Sequence, residues 1–516
     1  MRLALPILIL LANLSVLAST QDPTPPAPPN IVLILADDMG FSDLGCYGSE
    51  IHTPNLDRLA REGMRFTEFH NTSKCFPSRA CLLTGVYAQQ CGMDRKGAVI
   101  QNAITLGEAL QPAGYTTLWS GKHHGTENPY NRGFHHYAGL RDGACNHFNP
   151  GLPRPKEPPP AQKSSYGKRT FCFDAQTIQP FTPTNGFYTT DAFTDWALQW
   201  LDEIHSNQNQ KPFFLYLAYT APHDPLMAWP DDIAKYATTY NAGYQQIREQ
   251  RYQKQIQLGL LNPTTAPLSP QEAPNWNSLP PDTRTTEIQR MQVYAAMIDR
   301  LDQNVGRLLQ KLQSIQRLEN TLILFASDNG ASSESVEIGS GEIGTVGRWT
   351  SQLGDWANVS NTPYRKYKNF SLQGGIKTPL IAWWPNHIQP NTINDAPGHF
   401  IDVMPTLIEI AGASYPKPSP PQTLTPLQGV SLLPALHGKP LNRPTPIFWQ
   451  WAKGRAIRHQ NWKLVSQTGD QPSWELYNLD ADRTELHNLA SQYPDKVQSL
   501  SAKWRTWYQE ATQTQR

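Results

Sequence analysis

The residues with the clearest capacity for chemistry lie in the segment 75–85, which begins with a cysteine. Pro77 and the pair Ser78-Arg79 predict a turn that enters a helix, because the missing N–H of a proline needs no partner in the first helical turn. A helix start offers free N–H donors and a positive dipole end to an anion. Arg79 adds a forked cation that binds sulfate or phosphate oxygens. A buried or disulfide-bonded Cys75 beside a surface arginine is the alternative, and spacing alone does not decide between them.

Acidic residues follow two apolar runs that are typical of strands buried on both faces. The run NIVLILA ends in Asp37-Asp38, and the run TLILFA leads to Asp328-Asn329. Adjacent carboxylates at the end of a buried strand repel each other and are costly unless a cation lies between them. An exposed turn, in which Asp and Gly are common, is the alternative interpretation of each.

Basic residues follow two further predicted strands. The strand at 212–219 leads to His223, which lies in a stiff turn between two prolines, and the strand at 115–119 leads to Lys122 and His124. Taken alone, Lys122 and His124 could bind an anion or be ordinary loop residues, and the second interpretation is favoured. The histidine between prolines is held in place, as either catalysis or a turn would require.

Helices alternate with these strands, for example at 54–61, 189–205 and 287–312, which predicts an α/β fold with a mostly parallel sheet flanked by helices. Ligands of such sheets bind at the carboxyl ends of the strands, so we expect the acidic and basic residues to meet there. Carboxylate and amide oxygens favour calcium or magnesium over zinc. A cationic set facing that metal suits a tetrahedral anion, and the residues alone therefore predict hydrolysis of a sulfate or phosphate ester.

Composition excludes several other classes. The 516 residues include 44 Lys and Arg against 43 Asp and Glu, a balance that argues against a nucleic-acid binder or a polybasic membrane-surface protein. The six cysteines permit disulfides in an exported chain, but they are too sparse for a disulfide scaffold and match no zinc pattern.

The two ends of the chain are predicted to differ from its centre. Residues 1–20 resemble a secretory signal peptide, with an apolar run followed by small residues. We therefore expect a periplasmic or secreted protein with no stable membrane span after cleavage. Residues 21–440 are predicted to form the catalytic domain, including a long functional loop at 330–369. Residues 441–516 are predicted to form a small antiparallel sheet of three strands with a final helix.

The residues Cys75-Phe76-Pro77-Ser78-Arg79, followed by Leu82-Leu83-Thr84-Gly85, resemble the signature of the type I sulfatases, relatives of arylsulfatase. The similarity extends through ILADDMG, SGKHH, FLYLAYTAPH, ILFASDNG and GGIKTPLIAWWP. It implies an alkaline-phosphatase-like α/β fold and a sulfate-ester substrate. It also implies a maturation enzyme that oxidises the cysteine to formylglycine.

The resemblance assigns a role to each candidate residue. Cys75 becomes a hydrated aldehyde, one hydroxyl of which attacks sulfur while the other later expels sulfate, and Asp328 is the base. One Ca²⁺ per chain is bound by a set of oxygen ligands: Asp37, Asp38, Asp328, Asn329 and the converted Cys75. The remaining cationic side chains are implied to position the hydrate (Arg79, Lys122, His124) or to bind sulfate and protonate or shield the leaving oxygen (His223, Lys368).

Some positions depart from the family pattern. His123 stands where the family usually has tryptophan, so His124 is taken as the matching histidine and the role of His123 is left open. Gln373 stands where an acidic residue often precedes Gly-Gly, and Lys366 and Lys377 are rivals of Lys368.

A phosphate or phosphonate monoester hydrolase on the same fold is the alternative enzyme. A silent sulfate-binding homologue is the alternative if Cys75 is not oxidised.

Overall fold

A computed structural model describes residues 28–164, 168–417 and 424–513. The signal segment predicted at 1–20 lies outside the described residues. Within the described ranges, no helix combines the length and the apolar character needed to cross a membrane.

Strands and helices alternate through most of the chain. The strands are β1 (Asn30–Asp37), β2 (Met64–Phe66), β3 (Phe69–His70), β4 (Thr116–Gly121), β5 (His136–Leu140), β6 (Phe171–Phe173), β7 (Gln176–Ile178), β8 (Phe213–Pro222), β9 (Thr321–Ser327), β10 (Glu337–Gly339), β11 (Arg348–Thr350), β12 (Leu380–Trp383), β13 (Thr392–Asn394), β14 (Gly398–His399), β15 (Ile447–Trp451), β16 (Gly454–His459), β17 (Trp462–Ser466) and β18 (Glu475–Asn478). The helices are α1 (Pro54–Glu62), α2 (Cys75–Thr84), α3 (Leu106–Leu110), α4 (Thr189–Ser206), α5 (Pro230–Ala234), α6 (Gly243–Gln257), α7 (Pro281–Ser314), α8 (Leu353–Ser360), α9 (Gln373–Ile376), α10 (Val403–Ala411), α11 (Leu433–Leu436) and α12 (Pro494–Gln513).

The main sheet has ten strands in the order β13-β2-β12-β9-β1-β8-β4-β5-β6-β7. Its centre, from β9 to β5, is parallel, whereas β12, β6 and β7 run antiparallel to their neighbours. The predicted mostly parallel sheet is confirmed. The four strands that precede the candidate residues, β9, β1, β8 and β4, are direct neighbours, so their carboxyl ends form one continuous edge.

The continuous apolar sequence of β1 follows from its burial on both faces. Val32 and Ile34 face one core together with Met291 and Ile298 of α7, whereas Leu33 and Leu35 face a second core that includes residues of α2 and α10. Because successive side chains of a strand point to opposite faces, a strand between two cores has no polar face.

Two expectations about local structure are wrong. The segment 330–369, predicted as a loop, contains the hairpin β10–β11 and the helix α8. The C-terminal sheet has four strands, in the order β15-β16-β17-β18, because β16 was not predicted. Its sequence, GRAIRH, carries two arginines and a histidine and therefore lacks a strong apolar pattern.

A buried group of charges, which we name the interface cluster, joins the C-terminal sheet to the main sheet. Glu68, between β2 and β3, accepts hydrogen bonds from Lys377 and from Arg458 of β16, the latter at 2.6 Å, and Arg483 lies 4.0 Å away. A second bridge is nearby, because Glu485 accepts from the backbone N–H of Gln373 at 2.8 Å. The interface cluster consists of Glu68, Lys377, Arg458 and Arg483.

Candidate active site

Helix α2 carries the cysteine motif and is buried on every side. Cys75 is its first residue and is 1% exposed, and the helix ends at Gly85, whose φ of 71° closes the last turn with a hydrogen bond to the Cys81 carbonyl. Burial raises the pKa of the Cys75 thiol even though Lys122 and Lys368 oppose the rise. The unmodified side chain is therefore a neutral thiol at neutral pH and a weak nucleophile.

The acidic residues predicted at two strand ends lie together. Asp37, Asp38 and Asp328 are all at least 98% buried, and the backbone N–H of Asp38 donates to Asp328 Oδ1 at 3.3 Å. Asn329 Nδ2 donates to Asp38 Oδ1 at 2.6 Å. Asp38 has a φ of 66°, an uncommon backbone conformation for a residue with a side chain. The turn therefore directs two consecutive carboxylates toward one point.

The free oxygen atoms of this group fit a hard cation. Asp37 Oδ1 and Asn329 Oδ1 are buried and have no hydrogen-bond partner among the described residues. One carboxylate oxygen each of Asp37 and Asp328 lies within 4.8 Å of the other and of Cys75 Sγ. Buried oxygens without partners are costly unless something neutralises them, and carboxylate and amide oxygens are ligands typical of calcium and magnesium.

The basic residues balance part of this negative charge. Arg79 donates through Nε to Asp328 Oδ2 at 2.8 Å and through Nη1 to the Lys122 carbonyl at 3.0 Å. The Lys122 ammonium pairs with Asp37. Burial and the charge of Asp37 nevertheless raise the pKa of Asp328 to about 6, against the opposing effect of Arg79 and Lys122.

Lys368, and neither of its rivals, lies in this group. Its ammonium is 2.8 Å from Asp38 Oδ2. Burial alone would lower its pKa, but Asp38 and the nearby acids raise the pKa well above its usual value. Lys366 instead pairs with Glu272 at 2.8 Å, and Lys377 belongs to the interface cluster. We name the six ionic residues of the site the catalytic cluster: Asp37, Asp38, Asp328, Arg79, Lys122 and Lys368.

His223 lies beside the catalytic cluster, with one ring nitrogen held and the other directed toward it. Its Nδ1 is 2.8 Å from an Asp224 carboxylate oxygen, and its Nε2 is 3.6 Å from Asp38 Oδ2. Burial would lower the pKa of His223, but Asp38, Asp37 and Asp224 outweigh burial and raise it. His147 supports this turn, because its Nε2 contacts the His223 carbonyl at 3.0 Å.

The two adjacent histidines after β4 have different surroundings. His124, with a φ of 70°, lines the cavity above Cys75 and packs its ring edge-on against Phe76. His123 packs against Trp119 at a ring distance of 5.0 Å, and neither of its nitrogens has a hydrogen-bond partner among the described residues. Burial lowers the pKa of His123 to about 3. The open question about His123 thus has a structural answer: it is a neutral core residue.

A cavity of about 290 Å³ opens above Cys75. Its lining includes His124, His223 and Lys368 of the predicted set. It also includes residues that sequence reasoning missed, notably Glu334. Burial alone would raise the pKa of Glu334, but Lys368 and His223 lower it to about 2. Asp224 directly follows His223 and could have been found from that adjacency. Glu334 lies in a segment of little sequence pattern.

The chain is similar to sulfatases along most of its length. Residues 29–413 match the family model Sulfatase, and residues 365–510 match N-sulphoglucosamine sulphohydrolase, C-terminal. An uncharacterised sulfatase of Schizosaccharomyces pombe is 33% identical over 92% of each chain. An arylsulfatase of Klebsiella aerogenes is 33% identical over 78% of this chain and 91% of its own. The crystal structure of Ps i-CgsB in complex with k-i-k-neocarrahexaose has a TM-score of 0.67 and 25% identity, with 93% of each chain covered.

The strand-end acids, the helix that begins at Cys75 and the surrounding cations thus occur in a chain whose sequence matches one family along most of its length. The predicted resemblance is confirmed, and the protein belongs to the sulfatase family of sulfuric ester hydrolases.

Proposed function

We propose that this enzyme hydrolyses aryl or carbohydrate sulfate esters by means of a formylglycine derived from Cys75 and one bound Ca²⁺. One observation carries the proposal: Cys75 Sγ and carboxylate oxygens of Asp37 and Asp328 lie within 4.8 Å of one another. Above them is a cavity lined by Lys368 and two histidines. Nucleophile, metal ligands and anion-binding cations are thereby combined at one sheet edge.

The proposed metal ligands are Asp37, Asp38, Asp328, Asn329 and the converted side chain at position 75. The unpartnered oxygens of Asp37 and Asn329 support this assignment. When bound, Ca²⁺ polarises sulfate oxygens and favours the ionised nucleophile. Lys122 and Lys368 pair with Asp37 and Asp38. Because the cation would share the charge of these carboxylates, Lys122 would then contact the hydrate and Lys368 the sulfate oxygens.

The proposed nucleophile is one hydroxyl of the hydrated aldehyde, and its second hydroxyl expels sulfate when the aldehyde is restored. Asp328 accepts the proton of the attacking hydroxyl, and Arg79 holds that carboxylate in place through a 2.8 Å hydrogen bond. Arg79, Lys122 and His124 position the hydrate. Charges fixed in advance around the reacting atoms commonly supply the largest share of the rate enhancement.

His223 and Lys368 are proposed to bind the sulfate group and to protonate or shield the leaving oxygen. Asp224 fixes His223 Nδ1, so that Nε2 stays directed at the reacting region. Lys368 is 1% exposed and is held by Asp38. Both groups therefore have a defined position before substrate binds.

Conversion of Cys75 requires a maturation enzyme, which we propose as a partner of the chain. All six cysteines are free thiols in the structure, so none of them competes for Cys75 through a disulfide. The signal-like residues 1–20 support a periplasmic or secreted location. Cell fractionation with N-terminal sequencing of the mature chain tests that location, and an intact residue 1 in the cytoplasm would contradict it.

Mass spectrometry of the tryptic peptide 75–79 tests the modification directly. In protein produced with a maturation enzyme we expect the aldehyde, which differs in mass from the thiol and from a disulfide. The Cys75→Ala variant is expected to lose at least about 10³-fold in kcat, the scale on which removal of a nucleophile acts. Cys81→Ala, a buried thiol on the same helix, is the matched control. An unmodified peptide in active enzyme, or full activity in Cys75→Ala, would refute the mechanism.

Substrate comparison separates the alternatives. We expect hydrolysis of 4-nitrophenyl sulfate to exceed that of 4-nitrophenyl phosphate and of the corresponding phenylphosphonate. Higher kcat/KM on either phosphorus ester would favour the alternative hydrolase. Binding of sulfate esters without turnover, by protein whose Cys75 stays a thiol even when it is produced with a maturation enzyme, would favour a silent homologue.

A further inference from the structure

The mouth of the catalytic cavity carries more positive charge than the reaction needs. Beyond the predicted catalytic residues, its lining includes four cations, Lys74, Lys96, Lys163 and Arg169, against two carboxylates. The chain as a whole has a net charge of only +1. The cations at the mouth are therefore a local concentration of charge, which attracts anions into the cavity.

Two of these cations, Lys74 and Lys163, form ion pairs with carboxylates of the protein. The Glu334 carboxylate lies 3.3 Å from the ammonium of Lys163, 3.5 Å from that of Lys74 and 3.3 Å from that of Lys368. Lys163 also pairs with Asp224 at 3.2 Å. These lysines already have anionic partners, and they are poor candidates for binding a further anion.

A second part of the lining has no such partners. Lys96 is exposed and Arg169 is partly exposed, and neither forms an ion pair with any residue in the described ranges. Asp142, the acid of this part of the lining, accepts a hydrogen bond from the Thr170 backbone at 2.5 Å. Lys96 and Arg169 thus present donors to the cavity without an internal carboxylate to satisfy them.

The volume of the cavity limits which chemical groups can reach Lys96 and Arg169. A volume of about 290 Å³ is at the lower end of the range for small-molecule sites. It suits one sugar or aromatic ring with its sulfate. A group that reaches Lys96 and Arg169 from within this volume must belong to the same ring, or to its immediate neighbour.

We propose that the substrate carries a second anionic group, a carboxylate or a second sulfate, close to the reacting sulfate, and that Lys96 and Arg169 bind it. This inference rests on the proposed function, because it names the substrate class of that site. The guanidinium of Arg169 can bind two oxygens of one anion, whereas Lys96 supplies a point charge. A singly charged sulfate ester leaves both cations without a partner.

The test measures ligand binding to the full chain carrying Cys75→Ala, so that the result does not depend on turnover. The reference ligand is phenyl sulfate. The second-anion ligands are the three isomers of sulfooxybenzoate and the three benzene bis-sulfates, which distinguish a carboxylate from a second sulfate. Calorimetry gives the dissociation constants, and the binding is repeated after Lys96→Gln, Arg169→Gln and both together. Lys163→Gln is the matched control, because its charge is already neutralised by Glu334 and Asp224.

We expect at least one second-anion ligand to bind about ten-fold more tightly than phenyl sulfate, the ratio that one charge-assisted contact supplies. The double variant should reduce this preference to within about two-fold, and Lys163→Gln should keep it. Equal binding of all ligands, or the same loss in Lys163→Gln, would overturn the inference. If Arg169→Gln does not fold, the exposed Lys96→Gln alone decides. Failure of the proposed function would appear differently, as absence of sulfate-ester hydrolysis by the unaltered, aldehyde-containing enzyme.

Discussion

The catalytic cluster and the interface cluster both consist of buried carboxylates, lysines and arginines, yet they differ in how many of their carboxylate oxygens accept hydrogen bonds. In the interface cluster both carboxylate oxygens of Glu68 accept hydrogen bonds, one from Lys377 and the other from Arg458. In the catalytic cluster Asp37 Oδ1 has no hydrogen-bond partner among the described residues. A closed set of contacts holds two parts of a protein together, whereas an open set leaves room for a ligand.

The pKa values of the ionisable groups also differ between the two clusters. Burial would raise the pKa of Glu68, but three cations and His70 lower it well below the usual value. Burial, with Arg483 and Arg458, lowers the pKa of Lys377 to about 8 even though Glu68 opposes the change. In the catalytic cluster, by contrast, burial and Asp37 raise the pKa of Asp328 to about 6. The interface cluster has more cations than carboxylates. In the catalytic cluster the pKa values of Asp37 and Asp38 are lowered, and Asp328 is the carboxylate that resists ionising beside them.

The sharpest test of this contrast replaces Lys368 and Lys377, one at a time, by glutamine. In the calcium-loaded enzyme, Lys368→Gln should lower kcat/KM for 4-nitrophenyl sulfate by about 10²–10³-fold, the scale for one electrostatic group at the reacting centre. It should lower the free energy of unfolding less than Lys377→Gln does, because the bound cation also neutralises Asp38. Lys377→Gln should lower the free energy of unfolding by roughly 3–5 kcal/mol, because a buried ion pair loses one partner. Its kcat should stay near that of the unaltered enzyme. If Lys377→Gln lowered kcat/KM and Lys368→Gln mainly lowered the free energy of unfolding, the roles given to the two clusters would be wrong.

Calcium binding should also distinguish the two clusters, with a smaller change in the free energy of unfolding. After treatment with a chelator, added Ca²⁺ at about 100 times its dissociation constant should stabilise the folded chain by about 2.7 kcal/mol, because it binds only the folded state. The melting temperature, measured by calorimetry, reports this gain without any assay of activity. Asp38→Asn should abolish the response, and Glu68→Gln should retain it. An equal response in both variants would place the metal elsewhere.

The smallest predicted effect is the loss of stability at acidic pH. The folded-state pKa of Glu68 is lowered from 4.5, so the unfolded chain binds more protons below that pH. Stability therefore falls as the pH drops below about 4.5, with Glu68 contributing at most about 1.4 kcal/mol per pH unit. Urea unfolding between about pH 3 and pH 6 should show a shallower slope for Glu68→Gln. Glu62→Gln, which removes an exposed pair with Arg58, is the control and should leave the slope unchanged.

Strand ends were readable from the sequence because a buried parallel strand is apolar along its whole length and stops abruptly at a polar residue. That pattern located Asp37, Asp38 and Asp328. The rule that ligands meet the carboxyl ends of parallel strands then predicted their assembly. The ten-strand order could not be read in the same way, since no local pattern encodes which strand lies beside β9.

Choices among neighbouring residues of one type also needed the structure. Lys366 and Lys368 are two positions apart, yet a φ of 64° at Lys366 turns the backbone, and the two ammonium groups have different partners. His123 and His124 differ for a similar reason, because the φ of 70° at His124 sends its ring to the cavity. Glu334 was missed because its role depends on three lysines that are distant in sequence.

The burial of Cys75 sets the order in which the chain is modified and folded. A side chain that is 1% exposed, beneath a cavity of about 290 Å³, is out of reach of another protein's active site. The proposed oxidation therefore competes in time with folding, and a faster-folding variant would yield a smaller fraction of aldehyde. Incubating the maturation enzyme with folded, thiol-containing protein should leave peptide 75–79 unchanged by mass, whereas the urea-unfolded chain, returned to dilute buffer with that enzyme, should be converted. If Cys75 is oxidised as proposed, the yield of active enzyme is a kinetic quantity that is decided during biosynthesis and is permanent afterwards.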